Sequence, residues 1–538
     1  MFNRCTHIAP RISRAFLMGG VAFCGLVFWL GQPMSVHALT FTPGDLVVSV
    51  EGNGDGSASS GTAATGNTGA DAYAYLDNQA APLSLYEYTA AAGQTNPVGT
   101  VVLPQSSTPS GNSAISGEYG SSSEAQLQLS GDGRFLTIAG YATNAQQYNA
   151  DHDLNGGGTA LAQSCSLSSG CGGVPPVARV IATVNGNGQV NTTTVLNDVF
   201  NQNNPRSVYS ADGRSFYISG QGTGDANDLT GGVFYVPGTG PSQTAVPITG
   251  ADATSSKTSP LDVGQDTRFV TEYNGTLYVS ADTKEGKNSA RDFIGTLGSP
   301  PATSLYDSGN GPTQLNGFGT SNTGKMTVTT GANSSGNQFN NFTGANDINL
   351  SPADYFFAAS DVLYVADTGF PKNDKNGDTN STGTANIGDG GLQKWINSAV
   401  DGSGTWSLAY TLTAGLLDFV QNGATSGTTG LLGLTGRVVG DQVELFATNY
   451  TIGDTDQTYL YGIDDLLNYA LASEAAGEAF SVLAVAPAGT NFKGVAFAPS
   501  VSSTQLPGTL ALFASGLGLI GLFRPRRRGH RIGAALSI

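Results

Sequence analysis

The sequence predicts an all-β chain built as a single β-propeller, and three observations carry that prediction. Short β-rich runs recur through residues 39–502. Tight turns join many of them in pairs. The units left incomplete at the two ends complement one another.

The paired runs come first. Leu127-Gln128-Leu129 leads through Ser130-Gly131-Asp132-Gly133 to Phe135-Leu136-Thr137-Ile138, and Ser207-Val208-Tyr209 leads through Ser210-Ala211-Asp212-Gly213 to Phe216-Tyr217-Ile218. Asp-Gly between two such runs marks a hairpin, because glycine accepts the positive φ that the turn demands. Asn274-Gly275 before Leu277-Tyr278-Val279 and Gly440-Asp441 before Val443-Glu444-Leu445-Phe446 repeat the device.

One or two further strands follow each hairpin. Val177–Val184 and Gln189–Leu196 complete the unit that begins near Glu124, and Gly232–Val236 with Thr244–Ile248 complete the next. Asp292–Leu297 follows the third. Leu363-Tyr364-Val365, Leu392–Trp395 and Trp406–Leu412 make the fourth, and Tyr459–Ile463 with Phe480–Val485 complete the fifth. The leftover strands are Leu46–Val50, Leu83–Tyr88 and Thr100–Leu103 at one end and Val495-Ala496-Phe497 at the other. Together they make one more blade, shared by the N- and C-terminal strands, which removes free edges. The expectation is therefore six blades, with seven as the alternative.

Composition narrows the chemistry. Residues 39–502 carry 15 Lys and Arg against all 40 acidic residues, a formal charge of −25. Such a surface repels phosphate backbones, so nucleic acid is excluded as a partner. His152 is the only histidine of this region, which leaves no set of imidazoles for a catalytic zinc site. Cys165 and Cys171 bracket a short Ser- and Gly-rich loop, and in an oxidising compartment they read as a disulfide.

The two ends read as signals. Residues 1–38 hold Arg4, Arg11 and Arg14, then an apolar run from Ala15 to Leu30, then Val36-His37-Ala38. That order is a secretory signal peptide, cut after Ala38 by signal peptidase once the Sec translocon has engaged it. Residues 503–531 hold Leu506-Pro507-Gly508-Thr509, an apolar Gly-rich stretch to Phe523 and the cluster Arg526, Arg527 and Arg528. The stretch is long enough for a hydrophobic transmembrane helix, with the arginines on the cytoplasmic side.

This tail resembles the PEP-CTERM sorting signal of Gram-negative bacteria that make exopolysaccharide, with Gln505 and Leu506 where the usual proline and glutamate stand. The phrases Leu83–Thr89, Leu392–Trp395 and Phe492–Pro499 are similar to exported propeller-like proteins that carry such tails. The resemblance implies processing by an exosortase-like enzyme and a cell-surface or extracellular-matrix location. It also implies a transient inner-membrane anchor and exopolysaccharide as a partner.

Two constellations are candidate sites. Asp151, Asp153 and Asn155 alternate before Gly156, as hard oxygens do where a calcium loop begins, although Ala162 stands where an EF-hand ends in glutamate. Ca²⁺ is thus the one cofactor the sequence suggests. Glu124, Arg206, Arg268 and Lys493 enter the first strands of their units, so a central channel could gather them around a carboxylate or sugar acid. No catalytic motif is visible. The reading that follows is a non-catalytic propeller that binds polysaccharide, ion or protein. The alternative is a carboxylate- and calcium-dependent propeller hydrolase or lactonase, since paired carboxyls can run glycoside hydrolysis without histidine.

Overall fold

The structure is a computed structural model. It describes residues 40–52, 75–223, 229–249, 266–282, 292–309, 311–318, 325–327, 347–369, 390–420 and 424–501. All belong to the compact unit Ala38–Ile538. The first eight strands are β1 (Leu46–Gly52), β2 (Ala80–Tyr88), β3 (Gly99–Val102), β4 (Ser116–Glu118), β5 (Gln128–Leu129), β6 (Phe135–Tyr141), β7 (Arg179–Asn185) and β8 (Val190–Leu196). Helix α1 (Ala145–Asp151) lies between β6 and β7. Next come β9 (Pro205–Tyr209), β10 (Phe216–Gly220), β11 (Gly232–Val236) and β12 (Val246–Pro247), then β13 (Thr267–Tyr273), β14 (Thr276–Asp282), β15 (Asp292–Thr296) and β16 (Thr313–Gln314). A ribbon of β17 (Lys325–Thr327) and β18 (Asp347–Asn349) follows. The remaining strands are β19 (Pro352–Ala359), β20 (Val362–Asp367), β21 (Gly391–Asn397), β22 (Trp406–Leu412), β23 (Thr428–Val439), β24 (Gln442–Thr451), β25 (Tyr459–Leu466), β26 (Ser481–Val485) and β27 (Thr490–Phe497).

Four blades stand free as four-stranded antiparallel sheets: β9–β12, β13–β16, β19–β22 and β23–β26. This corrects the expected count of six or seven. The other strands expected to form separate blades run into one nine-stranded sheet, ordered β27-β1-β2-β4-β6-β7-β8 with β3 on β2 and β5 on β6. The reason lies in β2, which serves two partners along its nine residues. Its Ala80–Pro82 segment pairs with β4, while Ser84–Glu87 pair with β3. Strand β4 then reaches β6 through Ser116 and Tyr141, welding the two N-terminal units together. The chain's late strand β27 lies antiparallel to β1, with Leu46 opposite Phe497 and Gly52 opposite Thr490. Strands β5, β9, β13, β19, β23 and β27 pack against one another in that order, and β27 closes on β5.

The expected C-terminal hydrophobic helix falls in residues 503–531, outside the described residues. Among the described residues the single α-helix is the seven-residue α1. None of their helices is long and apolar enough to cross a membrane.

The turns behave as their residues dictate. Asn274 and Gly275 both take positive φ, 48° and 76°, as a two-residue hairpin loop of this hand requires. Strands such as β1, β10 and β20 are buried along their whole length. They are covered by neighbouring sheets on both faces, which explains runs that are nearly continuously apolar rather than alternating. One such interface joins Val48, Tyr88, Phe492 and Val495 to Phe446, Leu460 and Leu483.

Apolar contact alone is non-directional, and the polar residues of these strands supply the direction. Ser49 on β1 donates to the carbonyl of Ala125 at 2.5 Å and accepts from the Gly494 N–H at 2.8 Å. Thr137 on β6 donates to the Val208 carbonyl at 2.6 Å, and Ser219 on β10 donates to the Arg268 carbonyl at 2.8 Å. Thr448 on β24 donates to the Lys493 carbonyl and accepts from the Gly433 N–H. In each case a buried hydroxyl of one unit's second strand holds a carbonyl in, or just before, the next unit's first strand. Close backbone approach accompanies it, since a Cβ on Gly494 would stand 2.1 Å from the Leu127 nitrogen.

Replacing Thr448 by valine keeps the shape and leaves a buried carbonyl and a buried N–H without partners. Urea unfolding of Thr448→Val is expected to show a loss of about 1–3 kcal/mol. Thr137→Val should cost a similar amount, and the two losses should add because the sites share no partner. A change below about 0.3 kcal/mol in both variants would mean that these hydroxyls do not hold the sheets together.

Candidate functional site: a buried carboxyl cluster

The candidate site gathers where β1, β4 and β27 end or begin. Glu51 is the penultimate residue of β1, lies between Leu83 and Asn491 in register, and is fully buried. Among the described residues its cation is Lys493 of β27, whose Nζ stands 3.3 Å away and also donates to the Ser121 carbonyl at 2.5 Å. Glu118 closes β4 and accepts the Ala162 N–H at 2.5 Å. Glu124, in the loop entering β5, accepts the Glu118 N–H at 3.0 Å, the Asn204 amide at 2.6 Å and the Tyr141 hydroxyl. Arg179 stands behind this group, its guanidinium 4.6 Å from the Tyr141 ring centre. Its two Nη atoms donate mainly to carbonyls, including Val177 at 2.6 Å and Phe200 at 2.8 Å.

Above these residues lie two less buried carboxyls, Asp77 and Asp454. They meet across Gly120, which has φ of +81° and no room for a side chain. A Cβ there would lie 2.9 Å from the Asp77 carboxyl and 3.0 Å from the Asp454 Cβ. Asp77 also accepts from the Asn78 amide at 2.5 Å.

So many carboxyls with so few cations cannot all ionise. Burial raises Glu51 to about 8, with Lys493 opposing the rise and Glu124 adding to it. Burial first, then the charge of Glu124, lifts Glu118 well above its ordinary value. Glu124 is raised by burial in spite of its hydrogen bonds from Tyr141, Glu118 and Asn204. At the rim, desolvation and then Asp77 raise Asp454 to about 6, and desolvation raises Asp77.

The residues singled out in the sequence are distributed around this cluster. Glu124 and Lys493 are members of it. Arg206 and Arg268 enter β9 and β13 as expected of channel-facing cations, and both are buried in ion pairs. Arg206 bridges Asp266 and donates to the Gln221 amide at 3.1 Å. Arg268 lies 3.2 Å from Asp266 and 3.0 Å from Asp282. Asp282 passes the chain on to Ser351 at 2.7 Å, and the Ser351 N–H donates to Asp367 at 2.8 Å.

Asp151 is the last residue of α1, and Asp153 caps the next turn by accepting the Asn155 N–H at 3.0 Å. Among the described residues no group of three or more His, Cys, Asp or Glu side chains is arranged to hold a metal ion. Cys165 and Cys171 form a disulfide. Leu506, Pro507, Gly508, Thr509, Arg526, Arg527 and Arg528 lie outside the described residues, as does the leader.

Sequence reasoning missed Glu51, Asp77, Glu118, Asp454, Tyr141 and Arg179. One signal was available. Glu51 ends an otherwise apolar run, Leu46–Gly52, where a buried acid needs a partner.

No protein-family model matches the chain, and no curated protein matches it. Solved structures do. The Trypanosoma rangeli sialidase in complex with the inhibitor DANA matches at TM-score 0.32 and 12% identity, over 83% of this chain and 53% of its own. The GH43 endo-arabinanase from Bacillus licheniformis matches at 0.26 and 14%, over 52% of this chain and 78% of its own. The β-propeller domain of the Trilobed protease from Pyrococcus furiosus matches at 0.27 and 8%, over 73% and 92%. The chain spans about half the length of the sialidase.

Three expectations are corrected at this point. The body was expected to be non-catalytic because no motif was visible. The fold nevertheless brings together acids from distant parts of the chain with raised protonation, as acid–base chemistry needs. The partners expected from the chain's two ends were the Sec translocon, signal peptidase, an exosortase-like enzyme and exopolysaccharide; no family match supports them. Anchoring and location through a membrane tail are not carried forward: among the described residues no helix is long and apolar enough to cross a membrane, and residues 503–531 lie outside them.

The raised Glu51 makes a pH prediction. Its ordinary value is 4.5 and its folded value about 8. Between these values the folded chain holds a proton that the unfolded chain has lost, so this contribution to stability falls as pH rises. The unfolding free energy of Glu51→Gln should therefore depend less steeply on pH than that of the native chain in this window. Parallel pH profiles for the two proteins in urea titrations would refute the assignment.

Proposed function

We propose that the propeller body is a carboxyl-dependent hydrolase, acting on a glycan with Asp454 as general acid and Asp77 as general base. The observation that carries this reading is the rim pair itself. Two acids meet across a glycine, and one is raised to about 6, so that it retains a proton close to neutral pH. Acid–base catalysis favours a group whose pKa lies near the working pH.

The chemistry balances with these two groups alone. Asp454 gives its proton to the glycosidic oxygen as the carbon–oxygen bond breaks. A water attacks the anomeric carbon and loses a proton to Asp77. The products are a free reducing sugar and the released alcohol, and a bulk proton exchange between the two carboxyls resets the site. Lys493 supports the division of roles, since its charge lowers both Asp77 and Asp454 and so keeps the pair from being neutral together.

Release of reducing sugar or of nitrophenol from a panel of neutral polysaccharides and aryl glycosides tests the reading. Asp454→Asn and Asp77→Asn are each expected to lower kcat by about 10²–10⁴-fold with an unchanged circular dichroism spectrum. Activity of the native enzyme should fall as pH rises through about 6, because Asp454 then loses the proton it must donate. Full activity in the Asp454→Asn variant, or no turnover across the panel, would remove the assignment.

A further inference from the structure

A recess lies between the loop joining β3 to β4, the outer side of α1 and residues 175–177, and none of the carboxyl cluster's acids lines it. It encloses about 620 Å³, within the range of roughly 300–1,000 Å³ typical of small-molecule sites. From its form and lining we infer that this cleft is a binding site for a short neutral oligosaccharide. The inference does not rest on the hydrolase reading.

The walls are held independently of any ligand. Asn149 on the inner side of α1 pairs with both the N–H and the carbonyl of Ala80, at 2.9 and 2.8 Å. Asn144 caps the helix by accepting the Gln147 N–H at 2.8 Å and donates to the Gln105 carbonyl at 2.7 Å. The opposite wall, Pro175 and Pro176, is tied to Cys165, whose N–H donates to the Pro175 carbonyl at 2.7 Å while Cys165 itself is bonded to Cys171. A recess with both walls pinned loses little freedom when it is filled.

The polar groups divide into two sets. Gln105, Asn144 and Ser107 are spent on backbone partners, and the Tyr148 hydroxyl donates to the Thr159 carbonyl at 3.1 Å. Among the described residues, the Ser106 hydroxyl, the Gln147 amide, the Asp151 carboxylate and the His152 Nε2 have no protein partner, and all four residues line the cleft. Together they offer hydroxyl, amide, carboxylate and imidazole, a mixed set of donors and acceptors suited to vicinal sugar hydroxyls.

Apolar surface completes the site. The His152 and Tyr148 rings stack at 4.5 Å and 25°, and the two prolines face them across the cleft. Such surfaces suit the C–H faces of a pyranose. No Lys or Arg lines the recess, and Asp151 does, so an anionic glycan is disfavoured.

The experiment follows His152 by NMR in the full chain with isotope-labelled histidine, its signals assigned through His152→Ala. Cello-, laminari- and manno-oligosaccharides are the probes, with oligogalacturonate as the anionic control. At least one neutral probe is expected to shift the His152 signals saturably, and Asp151→Asn and Gln147→Ala should each weaken that binding at least about tenfold. Because the readout is binding at His152, it is separate from turnover by Asp77 and Asp454 and survives if those residues prove inert. The inference is overturned if no neutral probe shifts His152, if the shifts persist unchanged in both variants, or if oligogalacturonate binds as well as the neutral sugars.

Discussion

A side-chain hydroxyl passed from one unit's second strand to a carbonyl of the next unit's first strand is the contact on which the rest depends. Apolar faces between sheets would tolerate sliding, because hydrophobic contact has no direction. Ser49, Thr137, Ser219 and Thr448 remove that freedom, each satisfying a buried carbonyl. The acceptors fall next to the chemistry. Two of the carbonyls belong to Arg268 and Lys493 themselves, and a third belongs to Ala125, beside Glu124. The bonds that fix the sheets therefore also fix the backbone from which these charged side chains extend.

Electrostatics then divides those side chains into two groups. Around β9, β13 and β19 each cation has its acid, and the series Arg206, Asp266, Arg268, Asp282 and Ser351 runs on as a belt of short contacts. Such a belt stiffens the first strands and leaves little charge for a ligand. Around β1, β4 and β27 the balance fails. Glu51, Asp77, Glu118, Glu124 and Asp454 face Lys493 and Arg179, and the excess is resolved by retained protons rather than by counter-ions. The same protein thus holds a neutralised belt and a proton-bearing cluster, and the difference is one of local stoichiometry.

Much of the strand order was legible because glycine and asparagine announce their turns. Asp132-Gly133, Asp212-Gly213, Asn274-Gly275 and Gly440 all stand at hairpins whose flanking runs became strands. The count of separate blades was not legible. It turned on β4, a three-residue Ser-Gly-Glu strand with no apolar or β-branched residue, which nevertheless pairs with β2 and reaches β6. No local propensity marks such a segment, since its pairing is imposed by the neighbours it joins. The candidate site was legible only in part. Glu124 and Lys493 stood out as charges entering strands, whereas Asp77 and Asp454 sit in turns where acids are ordinary.

Gly120 shows why the rim pair escapes a reading of the chain while being closely specified in space. Asp77 precedes β2 and Asp454 follows β24, so no spacing rule connects them. What connects them is a residue without a side chain, at a φ of +81° that other residues rarely adopt, with each acid less than a van der Waals contact from where a Cβ would be. Without a Cβ at position 120, the Asp77 carboxyl and the Asp454 Cβ can both approach the same stretch of backbone. Asp454 is raised first by desolvation and then by the charge of Asp77. A side chain at position 120 would displace one acid or both, so the missing side chain is what lets the two lie together.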